Sequence, residues 1–263
     1  MDLGIKNKVA LVTAASQGLG KASAIELANE GVKLAICSRD QDKINQTAEE
    51  IQNLSGVEVL AVKADLDSTD DIENLIKEIE KKFNTVDILV NNTGGPKAGF
   101  FDDLSDEDWL KTFESTFLSA VRVTRKVLPF MKKNKWGRII NISSVSAKQP
   151  IDNLMLSNGV RMSIHGWAKT LSNQVASENI LINNVCPGFT HTERVDALIK
   201  TQVENSNSSR EEIIESIASD IPAKRVGQAN ELAALVVFLS SEKASYITGQ
   251  SIAVDGGISS LPI

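Results

Sequence analysis

Three groups of residues in this chain could do chemistry. The first is Thr13-Ala-Ala-Ser16-Gln-Gly18-Leu19-Gly20. A tight turn with glycines that opens a helical pattern aims backbone N–H groups and the positive end of a helix dipole at an anion, so it fits a phosphate; the same glycines also fit an ordinary tight turn. The second is Ser38-Arg39-Asp40. It lies ~20 residues past the glycine turn, where a dinucleotide fold reads the ribose. An acidic residue there would favour a bare 2′-hydroxyl, whereas the Arg39 guanidinium fits a 2′-phosphate. The alternative is a solvated arginine at a helix start, partly neutralised by Asp40. The third group is Ser143 and Ser144, which end an apolar run, with Ser157 and Arg161 one helical turn apart on one face. A serine hydroxyl is a far weaker acid than a phenol, and a guanidinium stabilises an oxyanion or binds a ribose but does not give up a proton.

These groups need strands that end at one edge and helices that start there. Val9 to Val12, Lys33 to Cys37, Val57 to Lys63, Val86 to Val90, Gly137 to Ile142 and Ile180 to Cys186 read as buried strands, and Ser245 to Gly257 supplies a last one. Between them, Ile44, Ala48, Ile51 and Leu54 fall on one helix face, as do Ile72, Leu75, Ile76, Ile79 and Phe83. A long helix is expected over Asp106 to Lys133, with Trp109, Phe113, Phe117, Val121, Val127 and Met131 on or near one face; others follow from about Ser157 to Ser177 and from Glu231 to Leu239. This alternation predicts an α/β fold: one doubly wound, Rossmann-type domain over residues 1–263, with a mostly parallel seven-stranded sheet and helices on both faces. The polar stretch at about 188–225, serine-rich at Asn205-Ser-Asn-Ser-Ser-Arg210, reads as a mobile lid over a substrate site or as a solvated helix pair.

The totals bound the function. With 263 residues, 42% hydrophobic and 24% charged, the composition is that of a globular protein, and a net charge of −6 argues against nucleic acid or an anionic membrane as main partner. Cys37 and Cys186 lie in apolar runs and are expected to be buried free thiols of a reducing compartment. With two cysteines and two histidines, His165 and His191, far apart in sequence, the chain offers no metal-site spacing. Met1-Asp-Leu-Gly-Ile-Lys6 shows no signal peptide and Leu232 to Leu239 is too short to span a bilayer, so the expected location is cytoplasmic.

The motif Thr13-Ala-x-x-x-Gly18-x-Gly20 resembles the Thr-Gly-x-x-x-Gly-x-Gly turn of the short-chain dehydrogenase/reductases, with Ala14 in place of the first glycine. Asn91-Asn-Thr93-Gly94 is similar to that family's Asn-Asn-Ala-Gly, Pro187-Gly188-x-x-x-Thr192 to its Pro-Gly-x-x-x-Thr, and Ser245 to Gly257 to its last strand and Asp-Gly-Gly turn. The likeness covers nearly the whole chain and is to the 3-oxoacyl-carrier-protein reductase branch. It implies a nicotinamide dinucleotide, with Ser38-Arg39 favouring NADP over NAD. Thr13, Ser16, Gly18, Leu19 and Gly20 would hold its phosphates and Arg39 its ribose end. Asp65 and Leu66 would meet the adenine, although Asp65 also suits a plain loop or cap. Asn91, Thr93, Gly94, Arg161, Pro187, Gly188 and Thr192 would line the rest. A small carbonyl or alcohol substrate and a homodimer or homotetramer are implied in the same way.

The family's Asn-Ser-Tyr-Lys tetrad falls on Thr116, Ser144, Ser157 and Arg161, so only the serine is retained. The single tyrosine, Tyr246, belongs to the last-strand motif and cannot stand in. Replacing a phenol by a serine should remove much of a general-acid contribution of typically ~10²–10⁴-fold. His191, near the cofactor mouth, is the one other acid with a suitable pKa, and otherwise a loop histidine. Two functions follow: a reductase with atypical proton delivery, or a non-catalytic dinucleotide-binding sensor or partner subunit.

Overall fold

In a computed structural model, residues 1–204, 206 and 208–260 are described; Asn205 and Asn207 of the serine-rich run, and 261–263, lie outside the described residues. Apolar runs form the strands β1 (Val9–Val12), β2 (Lys33–Ser38), β3 (Val59–Lys63), β4 (Ile88–Asn91), β5 (Gly137–Ile142), β6 (Ile180–Pro187) and β7 (Ser251–Val254); the inner five are buried and the edge strands β3 and β7 mostly half-buried. They pair in the order β3-β2-β1-β4-β5-β6-β7, and every pairing is parallel. The chain builds outward from β1 to β3, then restarts at β4 on the other side. Loops leaving β1 and β4 therefore diverge and open a crevice at the strands' carboxyl ends.

Strand residues alternate between two apolar layers. Ala10, Val12, Leu34, Ile36 and Val90 pack against α1 (Gly18–Asn29), α2 (Gln41–Ser55) and α9 (Ala229–Leu239). Leu11, Ala35, Cys37, Leu89, Ile139 and Ile182 pack against α3 (Thr69–Phe83), α5 (Ser119–Asn134) and α6 (Met155–Val175). Each fully buried aliphatic side chain contributes roughly 1.5–3 kcal/mol relative to exposure. Both cysteines are buried and free, and burial pushes the Cys37 thiol up to about 12.

The structure corrects several sequence-based expectations. Leu54 is exposed, because it lies in the last turn of α2, just ahead of Gly56, whose left-handed backbone turns the chain away. β3 starts at Val59 rather than Val57, whose N–H is taken by the Ser55 hydroxyl. β4 starts at Ile88 rather than Val86, because the Asp87 carboxylate turns back to accept the Val9 N–H. The helix expected over Asp106–Lys133 is α4 (Asp106–Thr112), one π-helical turn (Phe113–Leu118) and α5, and Phe113 is exposed. The polar stretch folds as the helix pair α7 (Glu193–Glu204) and α8 (Arg210–Asp220), seated through Ile199 and Ile213, which are buried.

At the carboxyl end of the sheet a side-chain ladder crosses four strands. Asn91 Nδ2 donates to Asn141 Oδ1 (2.9 Å), Asn141 Nδ2 to Asn184 Oδ1 (2.9 Å) and Asn184 Nδ2 to Ser251 Oγ (2.9 Å). These residues are register partners on β4, β5, β6 and β7. Asn91 Nδ2 also reaches Thr124 Oγ1 of α5 (3.1 Å). Asn141→Leu strips a buried acceptor from Asn91 and a buried donor from Asn184 and should lower unfolding free energy by about 2–4 kcal/mol. A urea midpoint within error of wild type would contradict this.

Candidate active site

The turn after β1 is held from β4. Thr13 Oγ1 donates to the Asn92 carbonyl (2.7 Å) and accepts the Asn92 N–H (2.8 Å), while Asn92 Nδ2 donates to the Ala14 carbonyl (3.1 Å). Ala14 adopts φ +46°, a left-handed conformation that costs an L-residue about 1 kcal/mol and that glycine takes freely. Gly18 has φ +57°, and a Cβ on Gly20 would collide with the Ala14 carbonyl and Asn92 Nδ2. The Ser16 carbonyl accepts from Thr47 Oγ1 of α2 (3.2 Å), and Leu19 packs into the core. Gln17 gives α1 no side-chain cap and its first turn has no acidic residue, so the N–H groups of that turn remain open to an anion.

Arg39, at the end of β2, is exposed and has no carboxylate partner among the described residues. Asp40, its expected neutraliser, instead caps α2 through Lys43 N (3.1 Å) and faces the Lys43 ammonium at 3.9 Å. Asp65 closes its own loop, accepting from Asp67 N (3.1 Å) while its N–H goes to Asp71 Oδ2 (2.8 Å). Burial, then Asp65, raises the Asp67 pKa, and the nearby Arg39 opposes that rise. Leu66 packs against the core. An open helix start, a glycine at closest approach and an unpaired guanidinium fit a phosphorylated dinucleotide.

Past the ladder, β5 delivers Ser143 and Ser144 under α6. Ser144 Oγ accepts from Ser146 N (3.0 Å), and Ser146 Oγ shares a hydrogen bond with Ser157 Oγ (2.9 Å), so Ser144, Ser146 and Ser157 form one connected group. One turn on, Arg161 Nη1 donates to the carbonyls of Ile142 (3.1 Å) and Ser143 (2.9 Å). Burial, then the charge of Arg194, lowers its pKa to about 10. One further turn along α6, His165 Nε2 bonds Ser143 Oγ (2.9 Å) and lies 3.6 Å from Cys186 Sγ. Burial, with the charges of Lys148 and Arg161, drives His165 down to about 4, and burial raises Cys186 to about 11. Thr116 is buried within the π turn.

The remaining predicted residues frame the mouth. Asn91 braces the sheet through the ladder, and Thr93 and Gly94 leave it in the loop after β4. Pro187 ends β6, and Gly188 is so close to Asp255 that a Cβ would collide. Thr192 and Glu193, entering α7, stand over Gly18. Next to them, the Arg194 guanidinium lies across Gly95 and donates to the Pro96 carbonyl (2.9 Å). The His191 N–H is held by the Gly227 carbonyl (2.9 Å), but its ring has no hydrogen-bond partner among the described residues and does not join the serine group. Sequence reasoning missed Asn92, Ser146, Lys148 and Arg194 as site residues. Asn92 and Ser146 had a signal, being polar residues at strand ends beside residues already singled out.

A doubly wound sheet with an anion-ready turn and a hydroxyl–guanidinium group at its switch point defines a nicotinamide-dependent class of fold. The family model described as Enoyl-(Acyl carrier protein) reductase matches residues 13–259. The NADPH-dependent reductase BacG of Bacillus subtilis is 35% identical over 96% of this chain and 98% of its own length. The 3-oxoacyl-[acyl-carrier-protein] reductase FabG of Staphylococcus epidermidis is 34% identical over 96% and 99%. The crystal structure of L-sorbose reductase from Gluconobacter frateurii, in complex with NADPH and L-sorbose, superposes with a TM-score of 0.96 at 31% identity over 99% of this chain and 100% of that one. The chain belongs to the short-chain dehydrogenase/reductase family.

Burial makes His165 a pH-dependent element of stability. Its folded pKa of about 4 lies below the unfolded value near 6.5, so its contribution is fully present above pH 6.5 and is lost as pH falls toward 4. The loss should be about 2–3 kcal/mol. His165→Gln should flatten the stability slope between pH 6.5 and 4, read by urea denaturation at several pH values; an unchanged slope would refute the assignment.

Proposed function

We propose that this protein is an NADP-dependent oxidoreductase that interconverts a small carbonyl compound and its alcohol with an altered catalytic tetrad. One observation carries the reading. The open first turn of α1 is tied through Asn92 to β4, and Thr192–Arg194 link it to the loop holding Gly95, so the donors and the Ser144–Ser157–Arg161 group share one crevice. The NADPH-dependent relatives support it. Gly18 to Gly20 would receive the diphosphate and Arg39 the 2′-phosphate. Bound there, the nicotinamide supplies hydride to a carbonyl carbon or takes it back from an alcohol.

The chain's own residues then act on the oxygen. Ser144 Oγ already accepts from Ser146 N, which leaves its hydroxyl proton free to donate to the substrate oxygen. The Ser146–Ser157 pair orients that hydroxyl, and Arg161 places a fixed positive charge beneath the developing alkoxide. Neither serine nor arginine gives up a proton, so water delivers it. The α7–α8 pair acts as the lid of a single domain. Exposed Leu110, Phe113 and Met162 on the π-turn side support assembly as a homodimer or homotetramer, and a single monomer mass in light scattering would refute that.

Calorimetric titration should show NADPH binding tighter than NADH, with Arg39→Ala weakening NADPH at least about tenfold and barely affecting NADH. Ser144→Ala should reduce NADPH oxidation across a carbonyl panel by about tenfold or more. Tight NADPH binding without any Ser144-dependent turnover would turn the assignment to a non-catalytic dinucleotide-binding protein. Binding of neither nucleotide would end the dehydrogenase reading.

A further inference from the structure

Resting on the reductase reading, the inference concerns the charge of the substrate. Arg161 is only 7% exposed, and no carboxylate pairs with it among the described residues. Its five N–H donors can serve a planar anion, yet only Nη1 is used, on the carbonyls of Ile142 and Ser143. Nε and Nη2 have no protein acceptor among the described residues. These donors are not among the enclosed polar atoms left without a partner, so they are open to an incoming group, and the planar fork they form fits an anion.

Two further cations share its surroundings. Arg194 lies across Gly95, donates to the Pro96 carbonyl and has no ion pair among the described residues. Its charge and that of Arg161 oppose each other. Lys148 follows the turn that Ser144 opens, again without an ion pair among the described residues, and its charge acts on His165 and Cys186. The acid nearest on the opposite side, Asp255, accepts from the N–H groups of Gly257 (2.9 Å) and Ser259 (3.1 Å). Glu193 stands over Gly18. α6, α7 and the loop after β5 thus each supply a cation to this end of the site, none ion-paired among the described residues, with Asp255 the carboxylate that shares their surroundings.

An anion here has two possible sources, the dinucleotide diphosphate and the substrate. The diphosphate already has the open first turn of α1, whereas Arg161 sits with Ser157 at the reacting end. We propose that the substrate is a small carbonyl compound bearing a carboxylate, held between Arg161 and Arg194. The reaction balances without involving the carboxylate. Hydride from NADPH adds to the carbonyl carbon, the π pair of the C=O moves to oxygen, water protonates that oxygen, and NADP⁺ and the hydroxy acid leave.

The test separates this proposal from the reading it rests on. NADPH affinity is measured by calorimetry for wild type, Arg194→Gln and Gly95→Ala, whose added methyl displaces the Arg194 guanidinium without altering charge. NADPH oxidation is then followed with 2-oxobutanoate, 2-oxohexanoate and acetoacetate against their methyl esters. The acids should exceed the esters in kcat/KM by at least about tenfold. Arg194→Gln should raise KM for an acid by about tenfold or more, erase the preference for acid over ester and leave NADPH affinity within about twofold. Gly95→Ala should move KM the same way. Esters reduced as well as acids, or no acid reduced, would overturn the proposal. So would an Arg194→Gln variant that loses NADPH affinity as much as acid affinity, which assigns the anion to the diphosphate. Wild type that fails to bind NADPH overturns the reductase reading, and this proposal with it.

Discussion

The amide ladder from Asn91 through Asn141 and Asn184 to Ser251 sets the geometry on which the site depends. An asparagine side chain donates at one end and accepts at the other, so a row of them in register forms a directed chain. In a low-dielectric interior that chain is stiff, because slipping any strand would leave buried amides unpaired. Two of its rungs, Asn91 and Asn141, lie where loops of the candidate site begin. Asn92, which fastens the glycine turn, follows Asn91 directly, and Ser143 and Ser144 start two residues past Asn141. The ladder therefore fixes how far the glycine turn stands from the Ser143 and Ser144 hydroxyls.

The same accounting separates a buried arginine that holds the fold from one with donors to spare. Arg138 is fully buried, yet it is served by the carbonyls of Gly137, Asn179 and Ser241, by Glu242 and by the face of Trp136. Its partners are complete, so it is structural. Arg161 is nearly as buried, but most of its donors are unmet and its charge is opposed rather than balanced. Two buried arginines of like chemistry thus have opposite meanings, and only their acceptors tell them apart.

That difference also explains what could be read in advance. The seven strands, their parallel order and the phosphate-ready turn follow from apolar runs, spacing and glycine positions, all local signals. Leu54 and Phe113 were misread because periodicity extends a helix face without knowing where the partner layer ends. The ladder was illegible for another reason: Asn141, Asn184 and Ser251 lie on separate strands, and only register makes them neighbours. Arg194 lies 98 residues from the Pro96 carbonyl that holds it, in a stretch whose polarity fitted an ordinary solvated helix equally well.

We propose that Ser157 stands where the family has a phenol, and its surroundings hold it firmly. Ser157 is buried, and its hydroxyl bonds that of Ser146, with either oxygen able to donate. Ser146 in turn fixes Ser144 through its backbone N–H. The hydroxyl pair therefore holds Ser144 in place through one backbone donor and moves no proton to it. His165 stays outside that group. With its pKa held near 4 by burial and two cations it is neutral at ordinary pH, and its ring is bonded to Ser143 rather than to Ser144 or Ser157. In the proposed reaction the electrostatic work falls to Arg161, whose permanent charge would favour the alkoxide without being consumed. Under the proposed reductase reading, a site so arranged would stabilise the alkoxide first and take its proton from water afterwards.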